Sequence, residues 1–281
     1  MCELFAMSSR DPLDVTISLE ELARHGGRDG PNRDGWGVAY YDDRDVRLLK
    51  EAGPASDSAC VRFLEEKHLA SRIVVAHIRK ATRGAATLAN SQPFARELAG
   101  RMHVFAHNGD VPGVFEDARF RLGRFRPIGE TDSEHAFCTL LARLEPLWKE
   151  GDEPERAARI DVVTRFAAEL RELGAANFLY SDAQLLIAHG DRRRWAADGD
   201  QEDAVLLRAP GLHLLHHSVP ASPPVLSAPG VRVESAHAEQ VVTMIASVPL
   251  SDESWVPLAE GEVRVFEAGS AVAIAGDAQA G

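Results

Sequence analysis

Strand-length apolar runs occupy both ends of this chain, and two helix-patterned stretches lie between them, an order that points to a layered α+β domain. The first runs are Cys2 to Ser8, Val38 to Tyr41, Val46 to Leu49, Ile73 to Ala76 and His103 to Ala106. The central helices run from a Thr131 cap towards Trp148, with Glu134 at the capping-box position, and from about Arg156 to Leu173, stopping at Gly174. Strand character then returns at Phe178 to Tyr180, Leu185 to Ile187, Val241 to Ile245 and Val263 to Phe266. Shorter helical stretches are predicted at Leu19 to His25 and Ser58 to Leu69. A Pro- and Ser-rich loop is predicted from Ser218 to Pro229, and the chain from Ala268 onward reads as a tail. The domain is drawn over residues 2–270, with a frayed tail over 271–281.

Net charge is −12, from 43 acidic against 31 basic residues, which argues against a nucleic-acid groove or an anionic membrane surface. The three cysteines lie far apart, without CxxC or HExxH, so neither a disulfide framework nor a metal site is indicated. The first residues carry no basic and apolar leader pattern, and no apolar run approaches membrane length, so a cytoplasmic location is the expectation.

Cys2 follows the initiator Met. A small second residue favours Met removal, which would put a nucleophilic thiol and a free α-amine on one residue. An amine with a pKa of about 8 can act as general base near neutral pH. Further along, Arg79 ends the Ile73 to Ala76 strand, in His77-Ile78-Arg79-Lys80-Ala81-Thr82. It is either a solvated strand-end charge or a planar fork for a carboxylate. Asn108-Gly109 is either a hairpin turn or a pair of oxyanion donors, the Asn amide and the Gly backbone N–H. Val111-Pro112-Gly113 makes a poor return strand, which weakens the hairpin. Asp132 is either a helix-dipole partner or a carboxylate facing a ligand ammonium. The Gly26 to Gly30 loop matches no phosphate-binding pattern, no GxSxG elbow exists, and His216-His217 reads as structural or exposed.

Taken in order, Cys2, Asp34-Gly35-Trp36-Gly37, His77-Ile78-Arg79-Lys80-Ala81-Thr82, His107-Asn108-Gly109 and Glu130-Thr131-Asp132-Ser133-Glu134 resemble the class II glutamine amidotransferases, N-terminal-nucleophile (Ntn) hydrolases, in their small stand-alone bacterial form. The resemblance implies a four-layer αββα sandwich without metal or organic cofactor. It implies Cys2 as nucleophile with its own α-amine as base, and Asn108 and Gly109 as the oxyanion hole. It places the glutamine α-carboxylate on Arg79 and its α-ammonium on Asp132, with Thr82 lining the pocket and His77 orienting the arginine strand. Lys80 and Gln92 depart from the pattern, on loops expected to cover the pocket. The implied reaction releases ammonia from the glutamine side chain through a thioester, with a separate ammonia-accepting synthetase subunit as a partner. Hydrolysis of γ-glutamyl peptides or amides, and an inactive glutamine-binding module, are the alternatives.

Overall fold

Two antiparallel sheets face each other across a core of small and branched side chains. The computed structural model describes residues 2–17, 34–55, 58–67, 69–79, 84–148, 153–196, 205–220, 226–228, 231–234 and 239–274. The expected helix at Leu19 to His25 and the Gly26 to Gly30 loop fall outside them, as do Met1, Lys80 and Thr82.

In chain order the elements are β1 (Glu3–Ile17), β2 (Trp36–Asp42), β3 (Asp45–Glu51), α1 (Ala59–Glu66), β4 (Ala70–Ile78), β5 (Phe94–Leu98) and β6 (Arg101–Asn108). The helices α2 (Asp132–Leu144) and α3 (Arg156–Leu170) follow. Then come β7 (Asn177–Ser181), β8 (Leu185–Gly190), β9 (Arg193–Ala196), β10 (Val205–Arg208), β11 (His213–Pro220), β12 (Leu226–Ala228), β13 (Val231–Glu234), β14 (Glu239–Ala246), β15 (Val256–Pro257), β16 (Glu262–Glu267) and β17 (Ser270–Val272). The larger sheet runs β15-β11-β14-β1-β4-β2-β3, with β13 on β1 and β12 on β13. The second runs β17-β16-β8-β7-β6-β5, and β9 with β10 forms a separate ribbon.

Alternation along each strand divides the apolar residues between layers. Leu4 and Ala6 of β1 meet Val104, Ala106, Leu179 and Ala188 between the sheets. Phe5 and Met7 point the other way and share a cluster with Trp36, Val38 and the α1 residues Val61 and Leu64. Beyond the second sheet, Phe105 and Phe178 pack with Phe137 of α2 and Phe166 of α3. The result is an αββα sandwich in which both sheets are covered on both faces, which explains why β2 and β4 are nearly continuous runs of buried residues.

Three expectations need correction. β1 extends past the expected end at Ser8 to Ile17, because its pairing with β4 resumes at Leu13 after a register shift. Part of the predicted loop is strand: Ser218 to Pro220 pair with Val241 to Glu239, and Leu226 to Ala228 form β12. Ala268 and Gly269 turn at positive φ into β17, which pairs with β16, so residues through Val272 belong to the sheet. The Gly269 N–H donates to Ser8 Oγ at 3.1 Å, joining that turn to the larger sheet.

Candidate active site

β1 and β6 lie in opposite sheets and bring their site ends together. Cys2 precedes the first residue of β1, and Asn108 is the last residue of β6. The Asn108 side-chain amide donates to the Cys2 carbonyl oxygen at 2.7 Å. The Asn108 backbone is held in turn, since Asn177 Nδ2 donates to its carbonyl at 3.2 Å. No hairpin forms at Asn108-Gly109. The chain passes into a 3-10 turn at Pro112–Phe115, and the antiparallel partner of β6 on this side is β7. Gly109 is required by the backbone, because a Cβ there would lie 1.8 Å from the Ala175 carbonyl oxygen.

Arg79 is buried, at 4% exposure, so the solvated-charge reading fails. Its Nη1 donates to the carbonyls of Asp34 and Ala85 at 3.2 and 3.1 Å, and its Nη2 to Gly84 at 3.1 Å. Its backbone N–H donates to Gly35 O at 2.8 Å, which fixes the start of the Asp34-Gly35-Trp36-Gly37 segment against the end of β4. Gly37 in turn admits a close neighbour: a Cβ there would lie 2.5 Å from the Gln92 carbonyl.

Asp132 opens α2. Its Oδ2 accepts from Val111 N–H at 2.7 Å and its Oδ1 from Ser133 N–H at 2.8 Å. Thr131 caps the helix by accepting from Glu134 N–H at 3.2 Å. The capping box does not close, because Glu134 Oε2 accepts instead from Gly129 N–H at 2.7 Å and its other oxygen pairs with Arg96. Behind this turn lies His107, wholly buried. Its Nε2 lies 3.2 Å from the Ala175 carbonyl, which can only accept, so Nε2 carries the proton and Nδ1 accepts from Ser133 Oγ at 2.8 Å. Burial keeps this ring below the ordinary histidine range.

His77 is the register partner of Leu4 and Gly37, so its ring shares the inter-sheet face with Leu4. It is fully buried, and among the described residues neither ring nitrogen meets a hydrogen-bond partner. Burial, with His107 and Arg79 nearby, pushes its pKa down to about 3 and keeps it neutral.

The chain matches the family model for class II glutamine amidotransferases over residues 1–280. It belongs to the class II glutamine amidotransferases. It is 34% identical to "Putative glutamine amidotransferase YafJ" of Escherichia coli strain K12, over 97% of this chain and all of that protein. A crystal structure of a "predicted glutamine amidotransferase" from Pseudomonas aeruginosa PA01 superposes with a TM-score of 0.71 at 32% identity, covering 96% and 99% of the two chains. The glutamine phosphoribosylpyrophosphate amidotransferase of B. subtilis shares the fold at a TM-score of 0.54 and 14% identity, this chain matching 48% of its length. The αββα sandwich is therefore that of the Ntn-hydrolase amidotransferases.

As a class II amidotransferase, the chain presents one cysteine at the meeting point of its sheets. The others are elsewhere and poorly suited to attack. Cys138 is buried in α2, where desolvation pushes its thiol up to about 11. The Cys60 thiol is raised by desolvation and by Glu51. Gln92 does not cover the pocket. It is buried, and its side-chain amide accepts from His107 N–H at 2.7 Å and donates to His107 O at 3.2 Å.

Asn90 was missed. It accepts from Glu130 N–H at 3.0 Å and donates to Ala85 O at 3.0 Å. It thereby ties the loop gripped by Arg79 to the turn before Asp132. Its position in Asn90-Ser91-Gln92-Pro93 marks only a loop, and nothing local signals the reach of 40 residues. Among the described residues, no group of three or more His, Cys, Asp or Glu could hold a metal ion, and no helix is long and apolar enough to cross a membrane.

Proposed function

We propose that this amidotransferase releases ammonia from the side chain of glutamine through a thioester on Cys2. The 2.7 Å hydrogen bond between Asn108 and the Cys2 carbonyl carries the reading, because it places an amide donor beside the nucleophilic residue. With Met1 removed, the α-amine of Cys2 takes the thiol proton as sulfur attacks the side-chain carbonyl carbon. The oxygen becomes an oxyanion held by the second N–H of the Asn108 amide and by the Gly109 N–H. Collapse breaks the C–N bond, the ammonium of Cys2 protonates the leaving nitrogen, and ammonia departs. Water, deprotonated by the same amine, then cleaves the thioester to give glutamate.

Recognition falls to Arg79 and Asp132. The glutamine α-carboxylate competes with the carbonyls of Asp34, Gly84 and Ala85 for the Arg79 fork. The α-ammonium adds to the two backbone donors already on Asp132, since a carboxylate offers about four lone-pair sites. His77, being wholly buried, shapes the end of β4 without reaching the ligand. The ammonia passes to a separate acceptor protein or to solvent.

The test is covalent labelling with a diazo-ketone glutamine analogue, beside glutaminase assays of the wild type and Cys2→Ala. Label on Cys2, loss of activity in Cys2→Ala and retained glutamine binding are the expected results. Label on Cys60 or Cys138 rejects the nucleophile. Preference for a γ-glutamyl peptide over glutamine without a partner rejects ammonia supply as the role.

A further inference from the structure

We propose that Glu3 and Arg193 are positioning residues for the Cys2 nucleophile, an inference that rests on the assignment of Cys2 above. β1 overhangs one of its neighbours. Its ladder with β4 begins at Glu3, but its ladder with β14 begins only at Phe5, opposite Ala246. On the β14 side the two residues after Cys2 therefore lack regular strand pairing.

One backbone bond and a set of side chains replace it. Ser247 Oγ accepts from Leu4 N–H at 2.9 Å, and Ser247 N–H donates to Leu4 O at 3.0 Å. Arg193 donates from Nη1 to Ser247 O at 2.7 Å and from Nη2 to Glu3 Oε1 at 3.0 Å. The Glu3 and Arg193 side chains are almost wholly buried, at 1% and 2% exposure. One guanidinium thus locks the residue next to the nucleophile to the end of β14.

The pair is an expensive way to close a strand end, since apolar residues of similar volume often serve stability as well or better. Among the described residues, Glu3 Oε2 is moreover buried without a hydrogen-bond partner. Burial drives the Glu3 carboxyl upward, and Arg193 and Ser247 oppose that rise. His213, the other titratable group on this network, lies 3.3 Å from Ser247 O and is held down by burial. What the ion pair supplies beyond cohesion is direction. Adjacent Cα atoms are about 3.8 Å apart, so a fixed Glu3 side chain restricts how the Cys2 thiol and amine can turn. The neighbouring Arg194 pairs with Asp110 at 3.0 Å, so the β9–β10 ribbon holds the nucleophile side and the Asn108 side together.

The experiment compares wild type, Glu3→Gln, and a double variant carrying Glu3→Leu and Arg193→Met, which removes both buried charges. Three quantities are read: kcat and KM for glutamine, the melting temperature, and the pH dependence of Cys2 alkylation by iodoacetamide, mapped by peptide mass. Glu3→Gln is expected to lower kcat about tenfold or more with KM changed less than about twofold. Its alkylation midpoint is expected to move by about half a pH unit or more, because the thiolate fraction follows the local charge. The double variant is expected to melt near wild type yet keep the alkylation defect. A wild-type alkylation profile in whichever variant folds overturns the proposal, as does a loss of kcat with that profile unchanged. Wild-type protein inactive on glutamine, with the alkylation shift still present in the variants, would reject the proposed function and leave the positioning role standing.

Discussion

Gln92 completes a strand ladder with its side chain. β5 pairs with β6 from Phe94 opposite Phe105, and stepping back two residues puts Gln92 beside His107. There the side-chain amide satisfies the His107 N–H and C=O at 2.7 and 3.2 Å. The residue immediately before Asn108 is thereby fixed from the edge of its sheet.

Gln92→Ala should strand a buried donor and a buried acceptor, each costing about 1–3 kcal/mol. Denaturant unfolding should show a loss of about 2 kcal/mol or more, and kcat should fall with it through displacement of Asn108. Wild-type stability and kcat would show that water replaces the amide without cost.

Arg79, Asp132 and Asn108 should separate kinetically. Arg79→Lys keeps the charge but loses the fork that spans three carbonyls, and a tenfold or greater loss in kcat/KM is expected, about 1.4 kcal/mol or more. Asp132→Asn should act mostly through KM. Asn108→Ala removes both the proposed oxyanion donor and the anchor on the Cys2 carbonyl, so kcat should drop by about 10² or more with little change in KM. Steady-state kinetics distinguish these patterns, and equal small effects in all three would make the residues structural.

Acid should destabilise the protein through its buried histidines. His77 and His103 are pushed down to about 3 and about 4 by burial, from the ordinary value of 6.5. Above about pH 6.5 they are neutral folded or unfolded. As pH falls below that, the unfolded chain takes up protons that the folded one refuses, so stability declines progressively towards pH 3. Unfolding free energies between about pH 7 and about pH 4 should therefore fall with decreasing pH, and His77→Phe should flatten the slope. A slope unchanged by that substitution would place the acid sensitivity elsewhere.

Arg159 and Asp182 form a buried ion pair at 2.7 Å at the opposite end of β7 from Asn177, so they test stability apart from chemistry. Arg159→Met should cost about 3–5 kcal/mol by leaving Asp182 charged and unpaired. The kcat of the folded fraction should stay within about twofold of wild type, measured well below the melting temperature.

The parts of the fold carried by local pattern were legible in the sequence: apolar runs at β2, β4, β6 and β14, the Thr131 cap, and the Gly174 stop. So was the chain order of the site motifs. The parts set by distant partners were not. The first apolar run stops at Ser8, and only pairing with β4 shows that the strand continues past it. Gln92 looks like a loop residue until β6 lies alongside it. Nothing near Glu3 announces a cation 190 residues away. Local chemistry marks where a site lies; side-chain amides and buried charges hold it in place, and their partners come from tertiary structure.

The position of β1 also sets when this enzyme can come into being. Its flanking strands are β4, which ends at Ile78, and β14, which begins at Glu239. The strand behind Cys2 is therefore enclosed on both sides only once the chain has been made through β14. Such high contact order makes folding slow. A ribosome-bound fragment ending before Glu239 carries Cys2 but not the strand that closes β1 on that side.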